Sequence, residues 1–363
     1  MARKLSSDKL LFTITLMLVM FGLVMVYSAS AVMANEKEGT PFYYVIRQSV
    51  WFLLGLATMV ALMNIPYRTW NNRVLIYSLL VIHVALLVLV LFAPAIANVH
   101  RWFRLGPFSL QPAELVKFPL LLFLAHHLSR KQDQIDTLWP GLLPPLLISG
   151  QMALLVVIEP DLGTAVMIMA ITIGLLFYAG MPYKYFGMMA AVGLPAFYFL
   201  VMNVPYRRER LMTFFNPEKD PSDSGFQIIQ SLIALGTGGT EGVGLANSMQ
   251  KLFYLPEPHT DFIYAIIGEE LGLIGAIVVL FAFLFFLWRG LRIAWKVQDP
   301  FGQFLAAGIT IMIVLQALIN ISVVIGLLPT KGLPLPFISS GGSSLLMNMM
   351  AVGILLNISQ HAN

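Results

Sequence analysis

The sequence contains no cysteine, which excludes disulfides, thiolate metal centres and iron–sulfur clusters. Charge is scarce as well. Asp, Glu, Lys and Arg together make up 11% of the 363 residues, less than half of the roughly 25% found in soluble chains. A soluble domain of this length still needs a polar shell, because surface-to-volume scaling leaves much of it facing water. That deficit excludes an ordinary soluble protein. Neither sign of charge dominates: 22 Lys and Arg oppose 18 Asp and Glu, a formal charge of +4. Without a clustered basic footprint, no nucleic-acid partner is expected. Gly236, Gly238, Gly239, Gly242 and Gly244 form a glycine-rich stretch, but its spacing fits neither the dinucleotide fingerprint nor the P-loop. No repeat of solenoid period is present.

Apolar residues are what the chain has in abundance, at 58%. A bilayer core of about 30 Å needs roughly 20 apolar residues per helix. Ten such runs lie near residues 10–33, 48–64, 74–97, 114–128, 142–158, 162–180, 186–204, 262–288, 303–327 and 341–358. The expected fold is therefore all-α, a polytopic integral membrane protein of about ten transmembrane helices forming a single domain over residues 1–363. The first run is longer than a signal-peptide core and has no small-residue cleavage pattern, so it reads as a retained helix.

Lys and Arg in short loops resist translocation and set orientation. With the N-terminus inside, one side holds Arg3, Lys4, Lys9, Arg68, Arg73, Arg130, Lys131, Lys184, Arg289, Arg292 and Lys296, and the other holds Lys37, Arg47, Arg101, Arg104 and Lys331. This imbalance places both termini in the cytoplasm. The long loop between spans seven and eight, residues 205–261, is then extracytoplasmic and carries an amphipathic helix over 226–235.

The densest polar run beside a span is Tyr254-Leu255-Pro256-Glu257-Pro258-His259-Thr260-Asp261. Two prolines stop a helix from extending backwards, so Thr260 or Asp261 is placed to cap the helix that follows. Capping would lower the Asp261 pKa, whereas an apolar cleft would raise it into the range of a general base. His259 and Asp261 alone, with no third ligand nearby, do not make a metal site. Glu269 and Glu270 lie deeper on the same helix and read as anchors for neighbouring helices. Glu114 and Lys117, three residues apart, read as a self-neutralising brace. Asp161 follows Glu159-Pro160 in a tight turn and reads as an N-cap. Ser343 and Ser344 open the tenth span, where free N–H groups and hydroxyls make an anion site to which Lys331 adds charge, or else a small-residue packing surface. His83, His126 and His127 read as packing or loop positions, without ligand spacing.

The run Asn247-Ser248-Met249-Gln250-Lys251-Leu252-Phe253-Tyr254-Leu255-Pro256-Glu257-Pro258-His259-Thr260-Asp261-Phe262, with Gly268-Glu269-Glu270-Leu271-Gly272 after it, resembles the signature of the SEDS family (shape, elongation, division and sporulation). Pro107-Phe108-Ser109-Leu110-Gln111-Pro112-Ala113-Glu114, Pro160-Asp161-Leu162-Gly163-Thr164 and Leu335-Pro336-Phe337 with Gly341-Gly342-Ser343-Ser344 follow in the family's order. The resemblance covers nearly the whole chain, and Asn247-Ser248-Met249-Gln250-Lys251 and Pro329-Thr330-Lys331-Gly332 resemble the cell-division branch more than the elongation branch. Glu159, Ser340 and His100 depart from the residues usual there.

The resemblance implies a glycosyltransferase that polymerises lipid II into β-1,4 glycan strands, inverting the donor sugar as undecaprenyl pyrophosphate leaves. It implies that Asp261 is the general base and that Arg210, with Lys331, Arg101 and Lys251 behind it, meets the pyrophosphate. His259, Ser343 and Ser344 are further substrate contacts. No cofactor is required, though the chemistry admits a divalent cation such as Mg or Mn. Implied partners are a class B penicillin-binding protein, other bitopic division proteins and the membrane lipids. The implied place is the inner membrane at the division septum, with the site facing outward. A lipid II flippase and a noncatalytic scaffold are the rival readings, and neither needs Asp261 as a base.

Overall fold

The computed structural model describes residues 6–94, 99–105, 108–217 and 224–362. Polar residues set where the long apolar helices start. Asp8 caps α1 (Lys9–Glu38) by accepting from the Leu11 N–H, and α1 stops at Gly39 in the left-handed region. Helix α2 (Tyr43–Asn64) follows. Asn72 caps α3 (Arg73–Val90), accepting from Val74 and Leu75. A short antiparallel hairpin, β1 (Phe103–Leu105) and β2 (Phe108–Leu110), pairs Arg104 with Ser109. It leads into α4 (Pro112–Leu115) and α5 (Lys117–Arg130).

Next come α6 (Leu143–Ile158), α7 (Leu162–Tyr178) and α8 (Tyr183–Met202). Two helices outside the spans, α9 (Pro205–Phe215) and α10 (Ser224–Gly238), precede α11 (Ile263–Lys296). Helix α12 (Pro300–Val324), capped by Asp299, and α13 (Gly342–Ser359) complete the chain.

Among the described residues, eight helices are long and apolar enough to cross a bilayer, and α7 is a shorter apolar helix. With the shorter α4–α5 segment, these account for the ten expected runs. The 205–261 connection differs from expectation in one respect, because α9 is a helix there. Pro205 sits in its first turn, where a missing N–H costs nothing. The anticipated amphipathic helix is α10, longer at both ends.

Burial orders the helices. Some 78% of the apolar windows of α12 and α13 lie inside the protein, against 11% for α8. Helix α12 packs on α11, α5 and α7, while α13 packs mainly on α2. The bundle is thus built around α12, and α8 sits at its edge. Val81, Val192, Phe199 and Phe281 point outward as large apolar side chains, the surface that lipid accepts and water does not.

Helix α11 is interrupted at Gly272, where φ is 66° and ψ −168°. Backbone freed by such a break needs partners at membrane depth. The glycine-rich stretch supplies them. The N–H groups of Val243 and Gly244 donate to the Glu269 and Glu270 carbonyls at 3.0 Å each, and Leu273 N–H donates to Gly239 at 2.9 Å. Gly242 has φ of 84°, and a Cβ there would lie 2.2 Å from the Glu270 carbonyl oxygen. The glycines form a plug for the broken helix.

We expect Gly242→Ala to destabilise the protein by about 1–3 kcal/mol from backbone strain alone, with steric displacement adding to it. Gly236→Ala, where the space is open, should change stability by less than about 1 kcal/mol. Thermal unfolding of the detergent-purified variants checks this, and equal melting temperatures would refute the plug.

Candidate active site

The site begins with a turn just before α11. Thr260 folds back on Glu257, its N–H and its hydroxyl both donating to the Glu257 carbonyl at 3.1 and 3.0 Å. Glu257 holds φ of 48°, unusual for a residue with a Cβ. The helix starts after Phe262, and no side chain caps it. This corrects the capping expectation for Thr260 and Asp261. Among the described residues nothing donates to the Asp261 carboxylate, which sits half-buried at the edge of a cavity.

Two side-chain amides on α12 fix that turn and the 329–341 loop beside it. Asn320 Nδ2 donates to the backbone carbonyls of Asp261 and Leu333, both at 2.7 Å. One turn away on the same face, Gln316 donates to the Pro334 carbonyl at 2.9 Å and accepts from Lys117 Nζ at 2.9 Å. From the α2 side, Gln48 donates to the Ser339 carbonyl at 3.1 Å and accepts from Gly341 N–H at 3.3 Å. Ser340 N–H donates to the His259 carbonyl at 2.9 Å, and Ser339 Oγ donates to the Thr260 carbonyl. The Asp261 turn and the 329–341 loop are thereby held as one unit.

That unit forms one wall of a cavity of about 380 Å³. Asp261, His259, Arg101, Asp161, Glu114, Ser343 and Ser344 all border it, so the fold brings together these residues expected from sequence. A smaller pocket of about 80 Å³ adjoins it, sharing Arg101, Asp161 and Gly332 and lined by Arg207, Arg210 and Lys331. Helix α9 presents Tyr206 and Arg210 four residues apart on one face, with the Arg210 guanidinium 4.5 Å from the Tyr206 ring centre.

Electrostatics separates the acids. Burial, with Glu257 and Asp161 nearby, pushes the Asp261 carboxyl up to about 7 against the pull of Arg210. Burial and Asp161 push Glu159 up to about 8, and among the described residues both its oxygens lack hydrogen-bond partners. His259 is pushed down to about 4 by burial, so it is neutral at pH 7 and adds no cation. Burial also lowers Lys331, with Asp161 opposing. Asp161 itself caps α7, accepting from Thr164 N–H at 3.0 Å and from Gln111 at 3.1 Å. Arg101 donates to the carbonyls of Glu159 and Pro160.

Other expected residues serve as braces. Lys117 Nζ meets Glu114 at 2.8 Å. Glu269 accepts from Met249 N–H at 2.9 Å and from Ser248 Oγ. Glu270 accepts from Ser28 at 2.7 Å and from Lys251 at 2.9 Å. The last contact corrects the expectation for Lys251: its charge is spent on Glu270, buried and away from both pockets.

Sequence reasoning missed Tyr44, Arg47, Gln48 and Trp51, which α2 presents to the cavity at helical spacing. It also missed Arg207, Gln316 and Asn320. The two amides carried a usable signal, as lone polar groups inside a long apolar run. Among the described residues no group of three or more His, Cys, Asp or Glu is placed to hold a metal ion.

The family model of the FtsW, RodA and SpoVE cell cycle proteins matches residues 8–363. The chain belongs to this family. It is 47% identical over 357 residues to a protein of Geobacter sulfurreducens named probable peptidoglycan glycosyltransferase FtsW, covering 97% of this chain and 95% of that one. It is 46% identical over 364 residues to stage V sporulation protein E of Bacillus subtilis, covering 99% of each. Among solved structures, a chain of a peptidoglycan synthase complex described as coordinating polymerization and crosslinking superposes with a TM-score of 0.81 at 30% identity over 98% of both chains. The rod shape determining protein RodA of Thermus thermophilus superposes with a TM-score of 0.72 at 26% identity, covering 99% of this chain and 98% of that one. The polytopic helical membrane fold expected from sequence is the fold of these relatives.

A carboxyl whose folded pKa is raised from 3.8 to about 7 destabilises the native state progressively as pH rises from 4 to 7, because the unfolded chain ionises first. Asp261→Asn removes that penalty. Its melting temperature should exceed that of the wild type by a margin that widens from pH 4 to pH 8, and a margin independent of pH would show that Asp261 ionises normally.

Proposed function

We propose that this protein is a peptidoglycan glycosyltransferase that polymerises lipid II at the outer face of the cytoplasmic membrane, with Asp261 as its general base. The observation that carries the reading is the uncapped Asp261 carboxylate, raised to about 7 beside a cationic pocket. A base with a pKa near the working pH combines ionisation with basicity. Family membership and relatives named peptidoglycan glycosyltransferase support the same reading.

The donor sugar is α-linked to polyprenyl pyrophosphate and the product linkage is β, so one inverting displacement suffices. Asp261 takes the proton of the acceptor's 4-hydroxyl as that oxygen bonds to the donor's anomeric carbon. The bond from that carbon to pyrophosphate breaks on the opposite side. Developing charge on the leaving group is met by Arg210, Lys331 and Arg101, cations that line the small pocket. Asp161 and Gln111 hold the wall beside them, and His259 offers a neutral imidazole. Glu114 with Lys117, and Glu269 with Glu270, keep the walls in place.

The imbalance of Lys and Arg between loops supports a reading with both termini in the cytoplasm and the cavity outside, where the assembled precursor is found. The likeness to a chain of a peptidoglycan synthase complex supports a class B penicillin-binding protein as partner. The resemblance of the 247–251 and 329–332 segments to the division branch supports action at the septum with bitopic division proteins.

The decisive assay is glycan formation from labelled lipid II in detergent, which removes sidedness and with it any contribution from flipping, alongside a transpeptidase inactivated at its own site. Asp261→Asn should fold and lose about 10²–10⁴-fold in rate. Polymer formed equally by both proteins would refute the assignment. The wild-type rate should rise about tenfold per pH unit up to about pH 7 and level off above it, since the ionised carboxylate is the active form. Arg210→Ala should lose about 10–100-fold, and an unchanged rate would remove it from the clamp.

A further inference from the structure

We propose that the site holds two separate pyrophosphate positions, and that Arg47 together with the first turn of α13 forms the one that binds the pyrophosphate of the acceptor substrate. The inference rests on the glycosyltransferase reading and adds to it which wall holds which substrate.

Gly341 precedes α13 and caps it with no side chain. The N–H groups of Gly342, Ser343 and Ser344 consequently have no acceptor among the described residues, the next bond being Leu345 to the Gly341 carbonyl at 2.9 Å. An uncapped helix start of this kind favours an anion. Ser343 supplies an independent pointer to a ligand. It is only 4% exposed, borders the cavity, and its hydroxyl has no hydrogen-bond partner among the described residues. Arg47 on α2 borders the same cavity, and among the described residues no carboxylate pairs with it. Its neighbour Gln48 grips both Ser339 and Gly341, so the α2 backbone that carries Arg47 is tied to the start of α13.

Substrate chemistry decides which pyrophosphate goes where. Donor and acceptor are both polyprenyl pyrophosphates. The donor's pyrophosphate leaves from the carbon under attack, so it must lie close to Asp261. The acceptor's pyrophosphate hangs two sugar rings from its attacking hydroxyl, so it must lie further off, with space between for the sugars. Gly332 borders both pockets, and a Cβ on it would be 3.2 Å from Asp261 Oδ2. Arg210, in the small pocket with Arg207 and Lys331, is the guanidinium whose charge bears on Asp261, and this makes the small pocket the near position. Asp261 and Arg47 both border the cavity of about 380 Å³, and Arg47 does not figure among the charges that bear on Asp261, which makes it the far position. Two cationic positions beside one base match a reaction between two copies of one lipid headgroup.

The test uses the full chain in detergent, titrated calorimetrically with heptaprenyl pyrophosphate. The wild type should bind about two per protein with distinct affinities. Arg47→Gln should weaken one of these about tenfold or more, the loss expected for a charge-assisted contact, and leave the other. Lys331→Gln should do the reverse. In polymerisation, Arg47→Gln should raise the lipid II KM about tenfold with kcat within about threefold, and Arg47→Lys should restore part of the loss. Ser343→Ala, a smaller change, should move the same position in the same direction and guards against a misfolded Arg47 variant.

A single wild-type site, or two sites unaffected by Arg47→Gln and Ser343→Ala, would overturn the proposal. So would displacement from the Arg47 position by phosphatidylglycerol at equal concentration, which would mark a general lipid-phosphate site. A wild type that binds two but makes no polymer would instead overturn the glycosyltransferase reading, and with it the acceptor role. A polymerising wild type with one site would overturn the two-position inference alone.

Discussion

The arrangement depends on one side-chain amide. Asn320, well inside the buried helix α12, donates to the carbonyls of Asp261 and Leu333 at the same distance, 2.7 Å. Two irregular loops meet at the end of a membrane bundle, where an unpaired carbonyl costs several kcal/mol. Regular structure cannot satisfy them, so side chains of rigid elements do. Asn320 and Gln316 work from α12 and Gln48 from α2. Because the turn is held through its backbone, the Asp261 carboxylate is not needed as a cap and is left to the cavity.

The acids of the protein divide along this line. Glu114 is matched by Lys117, Glu270 by Lys251 and Ser28, and Glu269 by Ser248 and a backbone N–H. Removing one partner from such a buried pair leaves an uncompensated charge, so these contacts hold helices and loops in position. Among the described residues Asp261 and Glu159 have no such partner, and burial raises both. Unsatisfied polar groups are few in folded proteins and concentrate where chemistry is done. Glu159 adds a neutral acid behind Arg101 at pH 7, so it leaves the guanidinium charge available to the site.

The membrane class and its spans were legible because apolar length is a one-dimensional property. Asp161 was legible as a cap for a similar reason, since its partner Thr164 lies three residues away. What was not legible depended on distance in sequence. Lys251 looked free until Glu270 and Ser28 were brought to it from two other elements. Arg47 registered only as a loop charge, whereas it lies on α2 facing the cavity. Helix α9 escaped because Tyr206 to Arg210 has no apolar period, and its stability comes from a proline start and packing on α8 and α10. The capping expectation failed by a single residue: the prolines stop the helix as they should, but α11 begins after Phe262, and Thr260 turns back toward Glu257.

The break at Gly272 explains how a loop aspartate keeps a fixed position at the edge of a fluid membrane. It cuts α11 into a long span and a short stub, residues 263–271, whose first eight residues are all buried. The glycine plug holds the stub's free carbonyls, and Tyr264 reaches across the break to donate to the Ala276 carbonyl at 3.0 Å. Glu269 and Glu270 then tie the stub to the 248–251 segment and to α1. Asp261 is fixed from α12 on one side and from the stub on the other. A mobile aspartate would relax onto Arg210 or onto the open helix end, and either contact would lower its pKa and remove the base. With its backbone held on both sides, Asp261 stays at the cavity with no bonded partner among the described residues, and its raised pKa follows from that placement.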